Sequence, residues 1–526
     1  MDDIEQKQGE TPETEALSPE DAALEERLSQ PVFQGTARPE LAQQVAAVFL
    51  ISVAGLLAYA NAWSAPFHYP DRIGIVENEG LHGLAALSEG WAAAEIRPLT
   101  AFTIGLGWWL FGESPRAFLS VNIALHIVAA ALLFLLARRV LGGEAGQGAA
   151  LGAAVLFAVH PAVAETIHLT VQRGAVLMTV FGLAAALLYA RGRTAGAIAC
   201  FVMAWMSEES AWVLPLVLAA VELATFRSDS LLIRAKRIAP VFVVAVMLLI
   251  ARAAADPDWT LSPKTFLDRA MTFGEFAGPM VMGKALAVVT SPQTASAVAA
   301  VVVAVFVLGG IAAARWLPAL GVGLLWGALL YLSPALISHE RAVTAGQMYI
   351  VLPGVAMMMA GLAMLLPRGI PRAGAGVVIA AVTLWLFVGT FQRNGVWSTE
   401  PSLWQDAQDA CPSCLAPPLR LGELELAEGQ RMLVESQGAV ANNRQDIAAE
   451  SRGRANERLA SARDYFQNAV TFADAPAEAW AALGAALRLL GEGTPAVGAL
   501  RRALAMKPED QAAALQLAVL AQAHAD

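Results

Sequence analysis

From residue 41 to residue 392 this chain is a succession of apolar runs, each of about twenty residues, and that succession fixes its solvent. A run of this length crosses a bilayer core as a helix, because only a helix satisfies its own backbone donors and acceptors in hydrocarbon. Composition agrees: 57% of the 526 residues are hydrophobic and 15% charged, values of an integral membrane protein. Beyond the last run the pattern changes. Residues 477–526 read as amphipathic helix pairs, so a water-soluble tail is fused to a membrane body.

Lys and Arg orient the body. Spans at 41–60, 117–137, 149–168, 174–190, 195–207, 209–225, 238–254, 296–314, 317–337, 347–366 and 373–391 make eleven. With a cytoplasmic N-terminus, Arg138/Arg139, Arg191/Arg193, the basic stretch 227–237, Arg315 and Arg368/Arg372 all face the cytoplasm, as the positive-inside rule requires. The tail then emerges on the extracytoplasmic side. Stretches 97–111 and 276–289 are short and flanked by charge or proline, and are read as helices at the outer surface. If both crossed, the count would be thirteen and the basic clusters between them would invert.

The expected organisation is an acidic, disordered cytoplasmic arm over 1–39 and a transmembrane domain over 40–392, with an outer loop at 61–116. A linker over 393–414 leads to a helical-repeat domain over 415–526. The leader lacks the basic and apolar regions of a signal peptide, so the first span is read as an uncleaved anchor. It also contributes to the net charge of −10. No basic stripe interleaved with aromatics is present, which argues against a nucleic-acid partner. Cys200 sits in an apolar span as a small core residue. Cys411 and Cys414 form Cys-Pro-Ser-Cys, for which a disulfide, free thiols and a metal or redox pair all stay open.

The outer face collects residues that are expensive near lipid and are usually kept for a purpose. One loop carries Phe67-His68-Tyr69-Pro70-Asp71-Arg72 and Arg97-Pro98-Leu99. The third span ends with His160-Pro161, Glu165, His168 and Gln172-Arg173. Glu208-Glu209 follow the fifth span, and His339-Glu340-Arg341 precede Tyr349. Singly, each reads as a loop charge or a snorkelling end. Together they fit transfer from a lipid phosphate: Arg97, Arg173 or Arg341 as phosphate forks, with Asp71 as general base on an acceptor hydroxyl. Glu165, Glu208, Glu209, His160 and Tyr349 complete the candidate donor site. His160 and His168 would lie about 12 Å apart on one helix, too far to share an ion, so no metal is expected.

In order, the motifs are Phe67–Asp71, Arg97-Pro98-Leu99, Asn122 with His126, His160-Pro161 with Glu165 and Gln172-Arg173, the Ser207–Ser210 turn with Pro215, and Arg393-Asn394 with Trp397, Leu403-Trp404 and Asp406. This series resembles the transmembrane-and-tetratricopeptide-repeat protein O-mannosyltransferases, with a GT-C glycosyltransferase body, over nearly the whole chain. The resemblance implies an all-α polytopic bundle of about eleven spans followed by a tetratricopeptide-like solenoid. It also implies transfer of a sugar from a polyprenyl-phosphate donor to Ser or Thr of a protein or peptide, with Asp71 catalytic and membrane lipid as the setting. Three positions depart from the pattern: Pro70 replaces one of two paired acids, Glu208 stands where the family has lysine, and a Glu-His-Arg-x-Tyr motif is reduced to Ala345–Tyr349. They keep a second function open, a catalytically degenerate protein that recruits envelope proteins through its tail. Alanine-rich composition and Val171-Gln172-Arg173 point to a bacterial inner membrane.

In the tail, Trp480, Leu483-Gly484, Leu487, Gly491, Ala496, Leu500, Ala503 and Pro508 fit one 34-residue helix-pair repeat. An earlier unit begins at Leu415 with Leu421-Gly422 and Gly429, and resumes at Leu459 with Tyr465-Phe466 and Ala469. The polar stretch 431–457 between them is an elongated helix pair or a floppy insert. Such a tail is either a scaffold or the holder of a polypeptide acceptor.

Overall fold

A computed structural model describes residues 37–82, 97–255, 270, 297–337, 345–365 and 372–523. The leader, the 276–289 stretch, Arg341 and Arg368 lie outside these residues. By internal contacts the chain divides into residues 1–50 and residues 51–526. The first unit contributes the opening turns of α1 (Ala37–Ala58). The second contains the end of α1 and everything after it.

The described elements are all helical. After α1 come α2 (Pro98–Phe111), α3 (Pro115–Leu141), α4 (Gly143–Ala158), α5 (Ala164–His168), α6 (Arg173–Ala190), α7 (Thr194–Ser207) and α8 (Leu214–Thr225). They are followed by α9 (Leu231–Ala255), α10 (Ala297–Trp316), α11 (Pro318–Ile337), α12 (Ala345–Ala363) and α13 (Arg372–Val396). The tail comprises α14 (Glu400–Ala410), α15 (Ala416–Ala441), α16 (Gln445–Ala469), α17 (Ala477–Leu489), α18 (Gly493–Met506) and α19 (Gln511–Ala523). Local sequence sets many of these limits. Pro98 and Pro115 open α2 and α3 where a missing N–H costs nothing, and Gly112 (φ 59°) and Gly142 (φ 67°) close them in a conformation that a Cβ disfavours.

Among the described residues seven helices are long and apolar enough to cross a bilayer, or eight if the bent pair α4/α5 is one span. Eleven spans were expected, the fifth of them short and joined to the sixth by a polar turn at Ser207-Glu208-Glu209. Ser207 ends α7 after 14 residues, and a 3-10 turn over Glu209–Val213 delays α8, leaving it 12 residues long. The third expected span is likewise broken. Pro161, which has no N–H to continue α4, opens a 3-10 turn, and the chain bends by 47°. His160 and His168 therefore do not share one straight helix, contrary to the spacing argument above.

Helices α11 and α12 cross on glycine. A Cβ on Gly354 would lie 2.6 Å from the Gly327 nitrogen, and one on Gly323 would lie 2.5 Å from the Gly354 oxygen. Backbones that close leave no room for larger residues, a common way of packing helices where lipid supplies no hydrophobic drive. Buried Trp326 fixes the pair by donating Nε1–H to the Ile350 carbonyl at 2.7 Å.

In the tail, 431–457 is an elongated helix pair: α15 and α16 run 26 and 25 residues. Gly422 lies under Phe466 and Gly484 under Leu500, each with less than 3 Å to spare for a Cβ, so both Leu-Gly pairs serve the same close crossing. Phe466, Leu483, Leu487, Leu500, Ala503 and Leu520 join α16–α19 into one core. A disulfide joins Cys411 to Cys414 in the turn between α14 and α15.

Candidate functional site

Asp71 sits at the end of a single helical turn, Tyr69–Asp71, which follows α1 and leads into a π turn over Arg72–Val76. Phe67, Ile75, Ile104 and Phe118 form a small core beneath it and hold the loop against α2 and α3. Asp71 is 1% exposed. Its Oδ2 accepts from the Thr170 N–H at 2.9 Å and its Oδ1 from the Val171 N–H at 2.8 Å. Burial pushes its pKa up from 3.8 to about 6, against the opposing pull of those two N–H groups, His68 and Arg173. The carboxylate thus clamps the turn between α5 and α6.

That turn is bolted from the other side by Arg173. Its Nε donates to Asn122 Oδ1 at 2.8 Å, Nη1 to the Thr103 carbonyl at 3.1 Å and Nη2 to the Phe118 carbonyl at 3.3 Å. Asn122 in turn donates to the Ile167 carbonyl at 3.0 Å. In this arrangement the Arg173 fork grips protein carbonyls, and the Asn122 and Arg173 motifs are partners.

Arg97 and Glu208 meet at 2.9 Å, Nη2 to Oε1. The carboxylate at the family's lysine position therefore faces a guanidinium from the first loop. Thr100 donates to the Ser207 carbonyl at 2.8 Å, and Gly174 lets α6 approach, since a Cβ there would lie 2.6 Å from that same oxygen. Glu209 follows, half-buried, at the head of its 3-10 turn.

Glu165 is buried in α5 near Arg393, which pairs with Asp406, and its Oε2 has no hydrogen-bond partner. Close by, His168 donates Nε2–H to Asn394 Oδ1 at 3.1 Å and stacks on Trp397. His160 and Tyr349 belong to a different neighbourhood. His160 Nδ1 accepts from the Ala162 N–H, and its ring lines an apolar cavity of about 230 Å³ with Phe157, Leu352, Met359 and Trp385. Tyr349 hydrogen-bonds His126 at 2.9 Å. The structure thus joins Asp71 to Arg173 and Arg97 to Glu208. Arg341 lies outside the described residues.

Sequence reasoning missed the contacts between the loop and the tail. His68, wholly buried, hydrogen-bonds the Trp397 carbonyl at 2.9 Å through Nε2, and its Nδ1 lies 3.5 Å from Glu400 Oε1. Arg420 of α15 lies 3.6 Å over the Tyr69 ring, which packs beside Trp404 and Leu421. No local pattern marks these residues, because the partners are more than 300 positions apart.

Comparison with known proteins adds an independent line. A protein O-mannosyl-transferase of Drosophila melanogaster is 32% identical over 172 residues, 29% of this chain and 20% of the fly protein. One of Caenorhabditis elegans is 22% identical over 400 residues, 70% of this chain and 58% of its own length. One of Mus musculus is 30% identical over 148 residues, 26% of this chain and 16% of the mouse protein. The chain is a distant homologue of these transferases. It spans a fifth of the fly protein and under two thirds of the worm protein. No family model and no solved structure matches. The relatives correct one expectation: they are animal proteins, and a bacterial inner membrane with a periplasmic tail is not the setting they support.

Proposed function

We propose that the chain is a membrane glycosyltransferase that moves a sugar from a polyprenyl-phosphate donor to a protein Ser or Thr hydroxyl. The observation that carries this reading is the meeting of the Asp71 loop with the helical tail, through His68, Trp397, Tyr69 and Arg420. An acceptor bound on the tail would be held beside the Asp71 carboxylate. In the reaction, the hydroxyl oxygen bonds to the sugar's anomeric carbon, the bond from that carbon to the phosphate oxygen breaks, and polyprenyl phosphate leaves with the electron pair. Asp71 takes the hydroxyl proton. A carboxyl with a pKa of about 6 is ionised near neutrality and is more basic than an ordinary aspartate. Arg97, oriented by Glu208, is the proposed contact to the donor phosphate. Eleven crossings and a tetratricopeptide fold for the tail belong to the same proposal.

A second reading has its own observation. Asp71 is sealed in and caps a turn, as a purely structural residue would in a degenerate enzyme that acts only through its tail. Purified protein in lipid nanodiscs, given polyprenyl-phosphate mannose or glucose and acceptor peptides, should form glycopeptide in proportion to donor. Absence of product with every polyprenyl-phosphate hexose would favour the second reading.

A further inference from the structure

We infer that the tail residues Arg420 and Glu400 are positioning residues for Asp71, so that the helical tail is part of the site's framework. The geometry is a short lever. His68 and Tyr69 are gripped by α14 and α15, and Asp71, two residues after Tyr69, grips the α5–α6 turn. Between them stands Pro70, whose ring fixes φ and removes one soft torsion from the link.

The grip is specific on each side. His68 lies edge-on to the Trp397 ring, 5.0 Å between centroids, so it cannot turn without displacing a buried indole. Glu400 receives the Trp404 Nε1–H at 3.0 Å and faces His68 at 3.5 Å. Burial raises the Glu400 pKa, but the His68 ring, Trp404 and the Tyr69 backbone N–H outweigh it and hold the carboxyl below its usual range. Glu400 is therefore ionised at neutral pH and ties α14 to both His68 and Tyr69. Arg420 closes the other face of Tyr69. A shift of α14 or α15 must move His68 and Tyr69, and through them the carboxylate that holds Thr170 and Val171.

The kinetic consequence rests on the reading of Asp71 as proton acceptor, but the mechanical coupling does not, and one experiment separates them. Hydrogen–deuterium exchange of the full chain in nanodiscs reports the Thr170 and Val171 amides, which Asp71 protects. Arg420→Ala and Glu400→Gln should each speed their exchange roughly tenfold while α17–α19 keep their protection. Arg420→Lys, which keeps a cation over Tyr69, should restore most of it. Arg454→Ala, at an exposed ion pair with Glu450 on the long hairpin, should leave it unchanged. Unchanged exchange at residues 170 and 171 in both Arg420→Ala and Glu400→Gln overturns the inference. If exchange rises and no transfer is found with any donor, the coupling stands and the enzyme reading fails. Where transfer is measurable, both variants should lower kcat and shift the acidic limb of its pH profile, with the KM for donor unchanged.

Discussion

Arg97 and Glu208 form an ion pair between the first loop and the end of α7, with nitrogen and oxygen 2.9 Å apart. One of the three departures from the pattern, a carboxylate in place of lysine, thereby acquires a partner. Arg97 is 41% exposed and Glu208 14%, so the pair is worth about 1 kcal/mol or less. Glu208→Lys should lower thermal stability modestly by setting two cations side by side, and Arg97→Glu should do the same while impairing donor binding. The swap Arg97→Glu with Glu208→Lys should recover stability while donor binding stays impaired, as read by melting in nanodiscs and by KM for donor. If the swap also restored donor binding, the sign of the charge at position 97 would be irrelevant and Arg97 would not face the phosphate.

The raised pKa of Asp71 has opposite effects on stability and activity. A carboxyl that holds its proton more tightly folded than unfolded contributes stability fully at pH below 3.8. That contribution is lost as pH rises through about 6. Transfer needs the ionised form and should rise over the same interval. Denaturant melts of unsubstituted protein from pH 4 to 7, set against Asp71→Asn, should show this component only when the carboxyl is present.

Arg173 is 1% exposed with its guanidinium inside the protein. Leaving a hydrogen bond of a buried charged group unmade costs about 1.5–3 kcal/mol. Asn122→Ala should therefore destabilise by that order, and Arg173→Lys, which keeps the charge but loses the fork, should destabilise nearly as much. Chemical denaturation in mild detergent measures both. A small effect for Asn122→Ala would mean that the bolt described above is not what holds the α5–α6 turn.

Gly354→Ala should lower the melting temperature, because its Cβ would meet backbone on α11; an overpacking cost of about 1–3 kcal/mol is expected. Gly309→Ala in α10, with nothing within 4 Å of the added Cβ, should be neutral or slightly stabilising. The contrast between the two separates helix crossing from helix propensity.

Much of the architecture was legible because bilayer physics writes it in long apolar runs, and proline and glycine punctuate it at Pro98, Gly112, Pro115 and Gly142. Span lengths were less legible. The break at Pro161 and the 3-10 turn that delays α8 to Leu214 are set by local turns that hydropathy averages away. At the site, sequence reading selected Asp71, Arg173, Asn122 and the Trp397 segment, but not their pairings. Asp71 meets backbone N–H groups, which have no sequence signature, and Tyr69 meets Arg420 across some 350 positions. Glu165 was placed with the donor site for its charge, whereas in the structure its neighbour is Arg393.

The role assigned to Asp71 is tested most directly by single-turnover transfer from polyprenyl-phosphate mannose to an acceptor peptide, with Asp71→Asn beside the unsubstituted protein. Asparagine fits the same space and still accepts one of the two backbone N–H bonds, so protection kept at one of residues 170 and 171 shows that the turn stays folded. The rate should fall by at least about a hundredfold in Asp71→Asn, the lower end of what a positioned general base contributes. Equal rates in the two proteins, with the turn intact in both, would contradict it.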